Sequence, residues 1–367
     1  MFFQIHMLKN YPPTALNRDE AGAPKTCVFG GAVRARISSQ CLKHSWRTSP
    51  LFQKAVGPSN LGIRTRTLPT LVKEKLIELG IETEIAEACL PVLSGFGTKE
   101  GKPTKNNDTA GLIFCSPADV DAIAEAVYDT VKDCSKPKDV AKKLKIADLR
   151  ALLGNHRPVA LDVALSGRMV TDETFHNVDA AMAVAHAFSA NRESAESDFF
   201  VGLDDCLTGQ GSAAMMGDRD FNSSCYYIYA SIDADHLLSN LEGVENAPEL
   251  VKKTILAMLR TMAFTNPSGS QNAFSGQVLP CTVMIECSEE KIPVSMANAY
   301  TEPVTRDLIS ESIKRLANEV DMLDRNYGLP VKERLWFCVD KYDIKPESAT
   351  KVCASFQDLL DAVEAVM

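Results

Sequence analysis

The 367-residue chain is 45% hydrophobic and 24% charged, proportions that exclude an intrinsically disordered protein and leave room for two or three domains, or for one domain with insertions. A formal net charge of -9 and a pI near 5.3 exclude a polyanion binder that works through net charge alone. No run reaches the roughly 18 to 20 apolar residues that span a bilayer, and the opening MFFQIHMLKN is too short and polar for a signal-peptide core, so a cytoplasmic protein with no membrane partner is expected.

FFQIHML (2–8) reads as a short strand, followed to about Lys25 by a loop rich in Pro, Asn, Gly and Ala. RARISSQCLKHSWR (34–47) then reads strand, turn, helix, with Ser38 or Ser39 placed to cap the helix. From 58 to 157 apolar residues recur at three-to-four spacing behind Ser, Thr or Pro starts, which predicts a helical insertion. VDAAMAVAHAFSA (178–190) reads as an apolar helix, and 191–224, rich in Gly, Asp and Ser, as an exposed arm. CYYIYASID (225–233), CTVMIEC and RLWFCVD read as strands; DADHLLSNL, APELVKKTILAMLRTMAF, TRDLISESIKRLANEVDMLDRNYG and DLLDAVEAV read as helices. With helices between non-adjacent strands and no Gly-rich strand-to-helix turn, the pattern predicts an α+β sheet of the ferredoxin or RNA-recognition type rather than a Rossmann fold.

The charge distribution is uneven. Between Glu20 and Glu74 no Asp or Glu occurs, where average usage places about seven. That segment holds Lys25, Arg34, Arg36, Lys43, Arg47, Lys54, Arg64, Arg66 and Lys73, so it carries +9, and the 30 basic and 48 acidic residues elsewhere leave -18. A polyanion responds to the local field of one face, so the asymmetry points to nucleic acid or phosphate. On the predicted helix, Gln40, Lys43 and Arg47 share one face and Leu42 and Trp46 another. The first face is suited to gripping phosphates, with helix amides and the Ser38 and Ser39 hydroxyls as further donors; in another context it would be read as a solvated face.

Other candidates carry less. The eleven cysteines are odd in number and lack C-x-x-C spacing, as expected of buried reduced thiols rather than a zinc site. FGTKEGKP (96–103) has Phe96 where a phosphate-binding loop needs its first Gly and Pro103 where it needs a hydroxyl, leaving a basic loop. The six histidines form no H-x-x-x-H pair. Asp198, Asp204 and Asp205 sit near one another in the arm, either as solvated carboxylates or as ligands of a metal-dependent nuclease. Phe199 and Phe200 are adjacent aromatics in a polar segment, which predicts a partner, bases to stack on, or a small core under a hairpin.

Taken together, LNRD (16–19), FGG (29–31), R-x-RISSQ-x-LK (34–43), DVALSGRM (162–169), the DFF arm (198–200), QGS (210–212) and P-x-SMANA (293–299) resemble, in order and spacing over nearly the whole chain, the backbone subunit of the type I-E CRISPR surveillance complex Cascade, the CasC family. The resemblance implies a right-hand shape: a modified RNA-recognition (ferredoxin-like) palm from 1–57, 158–190 (palm and web) and 225–367, a helical finger domain at 58–157 and a protruding thumb hairpin at 191–224. It implies a filament of copies along one CRISPR RNA, held by its backbone and offered to target DNA through base pairing, beside other Cascade subunits. Carried over residue by residue, the RNA contacts fall on Lys25, Arg34, Ser38, Gln40, Lys43 and Arg47, with Arg168 and Met169 on the other side of the strand and Phe199, Phe200 and Val201 at the thumb. Phe199 stands where relatives can have Trp, and Arg47 where they have Lys. No catalysis, cofactor or metal is implied. The alternative is a metal-dependent ribonuclease of the type III effector backbone kind, with Asp198 as the residue to suspect.

Overall fold

The computed structural model describes residues 1–153, 158–172, 174–203, 206 and 213–367. In chain order the elements are β1 (Phe2–Thr14), β2 (Thr26–Phe29), β3 (Ala32–Ile37), α1 (Ser39–Arg47), α2 (Pro50–Val56), β4 (Ile63–Thr65), α3 (Leu68–Glu78), α4 (Thr83–Leu93), β5 (Ile113–Cys115), α5 (Pro117–Val131), α6 (Pro137–Lys143), α7 (Ile146–Leu153) and α8 (Leu161–Ser166). They continue with β6 (Met182–Val184), β7 (Ala187–Ser189), β8 (Glu196–Leu203), β9 (Ala213–Asp233), α9 (Ala234–Asn240), α10 (Ala247–Phe264), α11 (Gln271–Phe274), β10 (Thr282–Ser288), α12 (Leu308–Tyr327), β11 (Glu333–Cys338), β12 (Lys351–Cys353) and α13 (Phe356–Val366). The chain divides into two compact units, one of 1–52, 183–233 and 255–367, the other of 53–182 and 234–254.

The first unit is built on a mostly antiparallel sheet of order β12-β11-β10-β1-β9-β7-β3-β2, with β6 and β8 also paired to β9. β1 lies at its centre, paired with β9 from Phe2↔Asp233 to Tyr11↔Ser224 and with β10 from Phe2↔Ser288 to Leu8↔Thr282. Strand alternation sends Leu8, Cys225, Tyr227, Met284 and Trp336 to one face, where Ile313, Leu316, Ala317 and Val320 of α12 cover them. These helix residues recur at three-to-four spacing; burying the three branched side chains stabilises the layer by roughly 5 to 9 kcal/mol.

Two sequence expectations are corrected here. The loop expected after residue 8 is instead a continuation of β1 to Thr14, because the Pro12–Pro13 pair, which lacks N–H donors, falls where the ladder with β9 shifts register between Tyr11 and Thr14. The apolar helix expected at 178–190 is instead the short strands β6 and β7. Its run of small residues suits either structure in isolation. Phe188 pairs with both Tyr227 of β9 and Arg36 of β3, so the backbone donors and acceptors there are taken from both sides.

The second unit is helical around one core: Leu68, Val72 and Leu76 of α3, Ile85, Cys89 and Leu93 of α4, Ile123, Val127 and Val131 of α5, and Val140, Leu149 and Phe175. Its two strands pair with each other as β4-β5, Ile63↔Cys115 to Thr65↔Ile113, and take no place in the large sheet. A capping box fixes the start of α5: the Ser116 hydroxyl accepts from the Asp119 amide, and the Asp119 carboxylate accepts from the Ser116 amide.

Candidate nucleic-acid interface

In the first unit Lys25 and Arg36 are tied to the segment that starts α1, Lys43 lies a turn into the helix and Arg47 ends it. Ser38 caps the helix, its hydroxyl accepting from the Cys41 amide at 3.2 Å. Asn17 locks this end from outside: its side-chain oxygen accepts from the Ser38 amide at 2.9 Å, and its carbonyl accepts from the Lys25 amide at 2.8 Å. Lys25 is tied in turn to β3, its carbonyl accepting from the Arg36 amide at 2.7 Å. The Asn17 contacts therefore place Lys25 beside the helix terminus, next to an open hollow of about 600 Å³ lined by Arg18, Asp19, Glu20, Ala21 and Lys25.

The helix divides as its spacing predicts. Leu42 and Trp46 are buried, whereas Gln40 is exposed and Lys43 and Arg47 are half-buried. No acidic residue occupies the first turn, so the positive end of the helix dipole is left uncompensated by its own residues. Burial lowers the Lys43 ammonium below its ordinary value, so an anion that pairs with it relieves a standing penalty. One group that sequence reasoning passed over, His186, reaches this terminus beside Arg36. The His186 ring nitrogen Nδ1 accepts from the Ser39 amide at 3.2 Å and lies 3.3 Å from Nη1 of Arg36, whose Nε donates to Thr26 O at 3.1 Å. Nothing in the sequence links positions almost 150 residues apart; β7 brings His186 there by pairing with β3.

Arg34 is corrected. It is fully buried, with Nη1 donating to Ser189 O and Ala190 O at 3.0 and 2.8 Å and Nη2 to Tyr300 O and Thr301 O at 2.8 and 3.1 Å. Its guanidinium ties β3 to β7 and to the SMANA segment and offers nothing to a ligand. FGG is explained by the same packing: a Cβ on Gly30, at φ +59°, would lie 1.8 Å from Thr301 O.

Arg168 and Met169 belong to the second unit. Arg168 is also internal, forming a buried ion pair with Asp119 at 2.7 Å. Met169, next to it, is 94% exposed. The loop 96–103 is held by Asp172, which accepts from the Gly97 amide at 2.7 Å and from Arg150 at 2.9 Å; its anchor is a carboxylate, as suits a structural turn.

The arm is a two-stranded ribbon, β8 on the first half of β9, pairing Glu196↔Phe221 to Leu203↔Ala213. Because β9 runs unbroken from Ala213 to Asp233, the ribbon is an extension of a strand of the large sheet. Phe199, Val201 and Met216 fall on one face and are 61%, 42% and 65% exposed. On the other face, Phe200 lies against Gly217, where a Cβ would come within 3.0 Å of the ring, and under the Arg219 guanidinium at 5.4 Å. Asp198 stands opposite Arg219; Asp204, Asp205 and the QGS stretch lie outside the described residues. Among the described residues no group of three His, Cys, Asp or Glu is placed to hold a metal ion, and no helix is long and apolar enough to cross a membrane.

Two solved structures are similar to this one. A chain of a "CRISPR RNA-guided surveillance complex, pre-nicking" superposes with TM-score 0.83 at 26% identity, covering 100% of both chains. A chain of a "CRISPR RNA-guided surveillance complex" shares the fold with TM-score 0.63 at 20% identity over 100% of this chain and 99% of that one. No curated protein matches. The family model of the CT1975-like proteins matches residues 3–362, and the chain belongs to that family.

Proposed function

We propose that the protein is a CRISPR RNA-binding backbone subunit of a type I-E Cascade surveillance complex, copies of which polymerise along the guide and present it for pairing with target DNA. The observation that carries this reading is the start of α1. A capped helix terminus with no acid in its first turn stands beside Lys25 and Gln40, and Lys43 and Arg47 continue the same face along the helix to its last turn, an arrangement suited to gripping successive phosphates without reading a base edge. Holding a guide by its backbone while base pairing reads the sequence is the division of labour that RNA-guided recognition requires. The likeness over the full chain to a subunit of such a complex supports the same reading, and the apolar face of the arm, Phe199, Val201 and Met216, supplies a surface for a neighbouring copy or for an unstacked base. The subunit is non-catalytic in this reading.

Co-expression with a CRISPR RNA and companion Cascade subunits tests it. The tagged protein is expected to retain a guide of discrete length together with other subunits and to leave guide and target RNA uncut in magnesium. A protein that retains no RNA overturns the reading. Magnesium-dependent cutting that Asp198→Ala abolishes replaces it with the ribonuclease alternative.

A further inference from the structure

Arg168 and Met169 are sequence neighbours with opposite fates, one inside the helical unit and the other 94% exposed. Gly167 begins the turn at φ +80°, where a Cβ would meet Val178 O at 2.9 Å. The backbones of Arg168 and Val178 then pair in both directions, at 2.9 and 2.8 Å, and the Val170 amide donates to Asn177 Oδ1 at 2.8 Å. The side chain of Arg168 crosses beneath this turn. Its Nη1 donates to Asp119 Oδ2 at 2.7 Å and to Phe114 O at 3.1 Å, its Nε donates to His176 O at 3.1 Å, and its guanidinium lies 5.6 Å from the Phe175 ring centroid. Both partners of the ion pair are 1% exposed. On the far side Asp172 accepts from the Thr174 amide and hydroxyl at 2.9 and 2.6 Å. Met169 is thus held out between a buried ion pair and a hydrogen-bonded turn at Asp172, and the carboxylate of the ion pair also caps α5, a core helix.

We infer that Asp119 and Arg168 are positioning residues for an RNA contact made by the second unit: the pair touches no nucleic acid and acts by fixing the turn that presents Met169 as an apolar wedge for a base. The inference rests on the proposed RNA-binding function. It reassigns Arg168 from contact to support, and adds Asp119, which the sequence marks only as a helix-capping residue. A long flexible side chain on an unfixed turn loses rotamer and backbone freedom on contact; a preorganised turn has lost the backbone share already.

The test is a double-mutant cycle on the full-length protein, joining Arg168→Lys, which keeps the charge and loses the planar fork, with Met169→Ala. Binding to an unstructured single-stranded RNA bearing 2-aminopurine gives both affinity and base unstacking. Met169→Ala is expected to weaken binding about two- to tenfold and to reduce the fluorescence change on binding. Arg168→Lys should weaken it comparably alone but less than about twofold in the Met169→Ala background, the non-additivity of one group acting through another. Should Arg168→Lys not fold, the charge-free pair Asp119→Leu with Arg168→Met takes its place. Equal losses in both backgrounds, or no loss for Met169→Ala, overturn the positioning role. Lys43→Ala with Arg47→Ala separates the two readings. If that variant binds RNA as well as wild type, the RNA-binding reading itself fails; if it weakens binding while the cycle is additive, only the positioning role fails.

Discussion

Arg34 and Arg36 show what a residue's neighbours decide that its type does not. They lie two apart on β3 and so face the same side, yet Arg34 is covered by the Tyr300–Thr301 backbone while Arg36 remains half-exposed beside His186. Arg34→Ala strands carbonyls of Ser189, Ala190, Tyr300 and Thr301 that now accept from it. We expect a loss on the order of 3 to 5 kcal/mol, read as a lower urea midpoint, with unchanged RNA affinity in the protein that remains folded. A stable variant that binds RNA poorly would return Arg34 to the contact set. Lys9 makes a different prediction. It is 1% exposed and its ammonium donates to Thr265 O and Asn266 Oδ1 at 3.1 and 3.2 Å, neither a carboxylate. Burial pushes its pKa down to about 7. Between that value and the ordinary value near 10.5 the unfolded chain holds a proton that the native protein has lost, so stability rises with pH across this window. From about pH 7 to about pH 8.5 the Lys9 contribution is about 1.5 kcal/mol, and the thiols that burial raises, such as Cys89, Cys115 and Cys287, oppose it as their unfolded forms begin to ionise. Urea unfolding at both pH values should show a change in stability that is more positive in wild type than in Lys9→Met by about 1.5 kcal/mol, the thiol contributions being common to both; the same change in both would rule out the Lys9 contribution.

At the level of elements, the arm carries the sharpest expectation. Phe199 is exposed and Phe200 rests on Gly217 and Arg219, both within the ribbon, so neither ring is part of the core beneath the large sheet. Phe199→Ala with Phe200→Ala should leave the thermal midpoint of the isolated protein within about 2 °C, since surface changes rarely exceed 0.5 kcal/mol, while guide-dependent assembly falls in sedimentation. An isolated double variant that melts well below wild type would make the pair structural instead. Elements with a strong period, a clear cap or a concentrated apolar run were legible in the sequence: the cap of α1 at Ser38 or Ser39, the α12 stripe, the apolar runs of β10 and β11. Those stabilised by partners were not. β6 and β7 exist because β9 and β3 lie alongside, and β12 is a three-residue strand read only through its parallel pairing with β11. The site divided the same way. Lys43, Arg47 and the arm aromatics were visible as residue types without counterparts nearby, whereas Asn17, His186 and Asp119 act through contacts that chain separation conceals.

Across the molecule, the acid-free segment is divided between the two compact units: Lys25, Arg34, Arg36, Lys43 and Arg47 fall in the first unit, and Lys54, Arg64, Arg66 and Lys73 in the second. Arg34 is internal and the Arg66 Nε donates to Thr109 O, so the charge that a ligand meets is smaller than +9 and its local arrangement matters more than its sum. That arrangement makes the final prediction quantitative. If Lys43 and Arg47 each neutralise one phosphate, changing both to Ala removes two released counterions, and the slope of log K against log salt should fall by about 1.4, at about 0.7 per contact on a single strand. The loss should be equal for guides of unrelated spacer, since phosphate contacts carry no sequence information. Folding should survive, because Leu42 and Trp46, buried on the opposite face, hold the helix in place. A deficit of about 1 kcal/mol per copy lowers each binding constant about fivefold, and repeated over several copies on one guide it multiplies, so assembly should fail at salt concentrations where one subunit still binds. The measurement is a salt titration of wild type and double variant on two guides, with assembly followed by sedimentation. An unchanged slope, or a defect confined to one spacer, would mean that this helix face is merely solvated and that the guide is held elsewhere.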